Sequence, residues 1–117
     1  MGGPAPTKIG WTAMLRVSDE GAASKLLCRL HEQLGLPMKA EETERYWKDE
    51  TLYRCTFVTP LPESAAEFGS DCVLDLAQRL APGWHVSGRF IDGSLEGVAD
   101  RGIRVPGVSW LHFSIDA

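Results

Sequence analysis

The sequence predicts a two-layer α+β domain, one antiparallel sheet with two helices on a single face. Three observations carry this. A helix is legible from start to stop between Ser18 and Pro37. The segments around it alternate apolar and polar residues with the period of strands. A second helical pattern and a second hairpin then follow in the same order.

Trp11, Ala13, Leu15 and Val17 alternate with Thr12, Met14 and Arg16, as in a strand with one buried face. Ser18 or Asp19 can cap the following helix with a side-chain oxygen, and Asp19 and Glu20 suit its positive dipole end. Ala23, Leu26, Leu27, Leu30 and Leu34 share one helical face. Gly35 can close the helix in the left-handed conformation, Leu36 can fold back, and Pro37 blocks continuation.

Met38 to Lys48 reads as a charged strand ending in Tyr46 and Trp47, with Lys48-Asp49-Glu50 as a polar turn. Thr51 to Thr59 returns with Tyr53, Cys55 and Phe57 on one face, completing a hairpin. The outgoing strand is far more polar than the returning one, which places it at a sheet edge, where charge guards against aggregation. Pro60 and Pro62 break the sheet. A helical pattern then runs through Ala65, Phe68, Cys72, Val73, Leu76 and Leu80, interrupted at Gly69-Ser70-Asp71, so the helix is either bent or split there. Ala81-Pro82-Gly83 ends it.

Trp84 to Ile91 alternates again, and Asp92-Gly93 is a strong hairpin signal. Ser94 to Val98 forms a short return strand. Val105-Pro106-Gly107 disrupts pairing at a bulge or bend. Val108 to Ile115 closes the chain, with Ser109, Leu111, Phe113 and Ile115 on one face and Val108, Trp110 and His112 on the other. Packing both crossovers right-handed gives a ferredoxin-like arrangement with an extra C-terminal hairpin. Residues 1–7, rich in Gly and Pro, read as a flexible tail, and 8–117 as a single domain.

The 117 residues suffice for one core without a metal or disulfide. The formal net charge of -4 and the scattered Lys and Arg argue against nucleic acid. Cys28, Cys55 and Cys72 are odd in number and widely spaced, so neither a disulfide framework nor a structural zinc is expected. Cys55 and Cys72 read as small core residues. No apolar run approaches a membrane span, and the chain reads as cytoplasmic.

No catalytic or cofactor motif is present, and the glycines between Gly88 and Gly107 form no phosphate loop. Two surface features stand out. Glu41, Glu42 and Glu44, with Asp49 and Glu50 beyond, make the second strand and its turn acidic, and Tyr46 and Trp47 offer aromatic anchors for a partner with a basic surface. The opposite sheet face forms an alternative pocket around His85, Trp110 and His112, for which a small ligand or a second copy of the chain would be the occupant. The two histidines could approach each other there, although a metal needs a third ligand that is not evident.

In size, acidity, lack of motif and acid-plus-aromatic edge, the chain resembles the small immunity proteins that neutralise bacterial toxins. In its open sheet face around Trp110 it is similar to the dimeric α+β barrel proteins, some of which are small monooxygenases. The first resemblance implies a non-enzymatic inhibitor that occludes a basic partner. The second implies a homodimeric ligand-binding protein or small enzyme. Neither implies a particular cofactor, metal or catalytic residue here.

Overall fold

The computed structural model describes residues 8–61 and 69–116. The elements in chain order are β1 (Lys8–Leu15), α1 (Glu20–Leu34), β2 (Lys39–Arg45), β3 (Tyr53–Pro60), α2 (Ser70–Gln78), β4 (His85–Ser87), β5 (Glu96–Ala99) and β6 (Val108–Asp116). The strands form one six-stranded sheet in the order β2-β3-β1-β6-β5-β4, and every pairing is antiparallel. The first four positions of that order form the ferredoxin-like sheet, with β6 as its fourth strand. The extra β4–β5 hairpin extends the sheet outward, and the last strand of the chain lies inside, between β1 and β5.

α1 forms as the sequence dictates. Asp19 Oδ1 accepts from the Ala22 N–H at 2.8 Å. At the other end Gly35, at φ 70°, donates its N–H to the His31 carbonyl. The expected stripe of Ala23, Leu26, Leu27, Leu30 and Leu34 is buried in full. It packs with Val73, Leu76 and Ala77 of α2 on the sheet face built from Ile9, Trp11, Ala13 and Leu15, Tyr53, Cys55 and Phe57, and Leu111, Phe113 and Ile115. Arg79 joins the helix ends by donating to the Leu34 carbonyl at 2.6 Å.

α2 starts at Ser70 after Gly69, which takes φ 50°. The earlier part of that helical pattern, including Ala65 and Phe68, lies outside the described residues, as does the N-terminal tail.

Four local differences from the sequence pattern stand out. β2 ends at Arg45, so Tyr46 and Trp47 belong to the turn rather than the strand. β4 has only three residues, because Gly88 turns to φ 81° with the Ser94 carbonyl so close that an added Cβ would sit 2.1 Å from it. Val108 joins the core at 7% exposure instead of facing outward with Trp110. Leu15 pairs with Val108 while Met14 pairs with Trp110, so Ser109 is the extra residue of a bulge that reverses the alternation. Ile91 stands in the β4–β5 turn at 87% exposure, off the sheet altogether.

Candidate interaction surface

β2 is an edge strand, as its charge predicts. The register sets Glu42 opposite Thr56 and Glu44 opposite Arg54, on the sheet face away from the helices. Glu41 is the extra residue where the register shifts between Ala40 and Glu42. Arg54 Nη1 lies 3.4 Å from Glu44 Oε1, an exposed pair of small energetic worth. Among the described residues Glu41 and Glu42 enter no ion pair.

Arg45 turns to the helix side. Its guanidinium lies 5.3 Å from the Tyr53 ring centroid and donates to the Tyr53 hydroxyl at 3.2 Å and to the Ser18 carbonyl. The Tyr53 hydroxyl, foremost, holds the Arg45 pKa above its ordinary value. This basic residue is thus turned away from the side that carries Glu42 and Glu44.

The turn after β2 is built rather than loose. Tyr46 N–H donates to the Leu52 carbonyl, Leu52 N–H to the Asp49 carbonyl, and Asp49 N–H to the Tyr46 carbonyl. Asp49 Oδ1 accepts from the Thr51 hydroxyl at 2.6 Å and its N–H at 2.9 Å. The Thr51 hydroxyl in turn accepts from Arg16 at 3.0 Å, which ties the hairpin tip to the end of β1. The Thr51 hydroxyl and N–H hold the Asp49 carboxyl below its usual value.

Trp47 projects from this tip at 80% exposure. Its ring lies 6.2 Å from Tyr46, and the Lys48 ammonium sits 4.9 Å from its centroid. Glu41, Glu42, Glu44 and Glu50 are exposed, whereas Tyr46 and Asp49 are half-buried. The structure therefore gathers the predicted acidic and aromatic residues along one edge and its adjoining tip, with Trp47 as the prominent apolar group.

The second predicted set lies elsewhere. Trp110 and His112 stand on β6 facing away from the helices, their rings stacked at 5.9 Å with 6° between planes. His112 Nε2 lies 3.7 Å from Glu96 Oε2. His85 shares that face and row but is separated from His112 by Val98, since Val98 pairs with both. The two histidines are therefore not hydrogen-bond partners, and the approach imagined between them is not made. Met14, opposite Trp110, completes the half-buried apolar centre of this face. Among the described residues no group of three or more His, Cys, Asp or Glu side chains is placed to hold a metal.

Cys55 lies in the core, where burial pushes its thiol pKa up and away from nucleophilic use. Cys28 is exposed and Cys72 half-buried on their helices. One feature without a sequence signal is a groove of about 320 Å³ at the far end of β2 and β3, lined by Lys8, Pro37, Met38, Lys39, Val58, Thr59 and Pro60. It arises where the start of β2 meets the end of β3, a meeting that no local pattern encodes.

The fold and its exposed edge define a small α+β protein whose surface is consistent with protein interaction in general. Comparison with protein-family models, with curated proteins and with solved structures finds no match to the chain. No helix among the described residues is long and apolar enough to cross a membrane.

Proposed function

We propose that this protein is a non-enzymatic interaction module of the immunity type, which docks a partner with a basic surface through β2 and the turn beyond it. The observation that carries this reading is Trp47, an indole held outward at 80% exposure on a hydrogen-bonded tip, beside an acidic edge. Burying a side chain of this kind contributes about 1.5–3 kcal/mol or more, and the carboxylates steer a cationic surface toward it. Occlusion would be steric and electrostatic, with no bond made or broken. The test is quantitative capture from the native cell by the wild-type chain and by a Trp47→Ala, Glu42→Gln, Glu44→Gln variant. The variant should lose the partner, and higher salt should weaken the wild-type complex, while thermal unfolding stays near wild type. Equal capture by both chains would refute the reading.

A second reading, a homodimeric small-molecule protein of the α+β barrel kind, draws on the stack of Trp110 and His112 beside Glu96 on the uncovered face. Sedimentation distinguishes it: a monomer at high protein concentration removes it.

A further inference from the structure

Resting on that docking reading, we propose that the partner is engaged by strand addition. An extended segment with Lys or Arg at alternating positions would pair with the outer edge of β2 along Glu42–Arg45.

The backbone geometry comes first. Tyr46 N–H points inward to the Leu52 carbonyl, and Glu42 N–H points inward to the Thr56 hydroxyl at 3.2 Å. Successive amides of a strand alternate in direction, so the N–H groups of Thr43 and Arg45 point outward, away from β3. Among the described residues no strand lies on that side of β2. The sheet's other edge is a poorer template, because β4 has three residues and ends at the turned Gly88.

Charge selects the occupant. Glu42 and Glu44 face the same side and would each meet a residue of an incoming antiparallel strand in the closely spaced, non-hydrogen-bonded pairs. Opposite charges stabilise such pairs and like charges oppose them. A second copy of β2 centred on Thr43 would set Glu42 against Glu44 twice, and a parallel copy in register would set each glutamate against itself. The edge thus disfavours self-pairing and admits a segment whose basic residues recur every second position. The residues between them would oppose Thr43 and Arg45 and exchange the hydrogen bonds. The bulge at Glu41 limits the usable edge to about four residues, so the few hydrogen bonds need Trp47, one turn beyond, to cover the segment.

The test uses the full chain and a short peptide alternating lysine with valine, measured by calorimetry at low salt. Three comparators accompany it: the same composition with its lysines contiguous, the alternating peptide N-methylated at the valine amides, and the alternating peptide N-methylated at the lysine amides. The unmodified and lysine-methylated peptides should bind roughly tenfold tighter than the other two. They should also slow hydrogen exchange at the Thr43 and Arg45 amides. A Thr43→Pro chain loses its outward N–H and the side-chain hydrogen bond between Thr43 and Cys55, but an edge strand accepts proline where the N–H faces outward, so it should fold, and it should bind the alternating peptide at the level of the comparators. If that variant does not fold, the two methylated peptides decide alone. Equal binding of all four peptides, lost on Glu42→Gln with Glu44→Gln, overturns strand addition and leaves the docking reading standing. Binding of none, or binding indifferent to Trp47 and the glutamates, overturns strand addition and counts against the docking reading too.

Discussion

The Trp11 indole N–H donates to the Thr59 hydroxyl at 3.0 Å, across the β1–β3 pair and on the helix-covered face. Thr59 is the only buried polar residue of the described core, at 1% exposure. The same indole lies near Phe57, Trp84 and Phe113, with ring centroids 6.0, 6.3 and 5.7 Å away. One hydrogen bond therefore satisfies the polar atom of the largest fully buried side chain of the described core.

Thr59→Val keeps the shape and strands the indole donor. An unsatisfied buried donor costs about 1–3 kcal/mol, and urea unfolding should show a loss of that size. Adding Trp11→Phe to Thr59→Val should cost less than the two single losses combined, because both partners of the bond are then gone. Strict additivity would show that the contact matters little.

Gly97 lies under the Phe113 ring. A Cβ built there would be 2.4 Å from Phe113 Cε2. Overpacking of this kind costs about 1–3 kcal/mol, so Gly97→Ala should lower the unfolding midpoint, and adding Phe113→Leu should recover part of the loss. The β5–β6 register depends on this approach, since Gly97 pairs directly with Phe113.

Thiol labelling should separate the cysteines by position. Cys28 should react with a water-soluble reagent at its solvent rate, and Cys55 only as fast as the sheet opens. Burial raises the Cys55 pKa, which adds to its protection. Rapid labelling of Cys55 in native buffer, read by mass spectrometry, would contradict its place between β1 and β2.

Asp49 and Asp92 each accept from the hydroxyl and N–H of the residue two positions on, Thr51 and Ser94, and both carboxyls are held below their usual values by these bonds. A lowered folded pKa stabilises the fold fully above the unfolded value of about 3.9. That contribution fades as pH falls through the folded value. Both turns should therefore loosen below about pH 4. An Asp49→Asn, Asp92→Asn chain should show a flatter decline of stability across that range. An unchanged slope would place the acid sensitivity elsewhere.

Periodicity made most of the faces legible. Trp11, Ala13 and Leu15, Tyr53, Cys55 and Phe57, and the α1 stripe are all buried as their spacing predicts. The charge of β2 marked it as an edge, because charged residues are tolerated where one side of a strand meets water. The acidic and aromatic surface was legible residue by residue, but its geometry was not. That Trp47 leaves the strand, that Asp49 is fastened through Thr51 to Arg16, and that Arg45 turns to Tyr53 all depend on groups distant in sequence.

By itself, the sequence determined the order of helices and strands and the apolar side of most of them, because those follow from local spacing and capping. Only the tertiary structure decided that β6 enters between β1 and β5, that a bulge at Ser109 draws Val108 into the core, and that Val98 keeps His85 from His112. Strand order and register are settled by competition among pairings far apart in the chain, and no local alternation records which pairing wins.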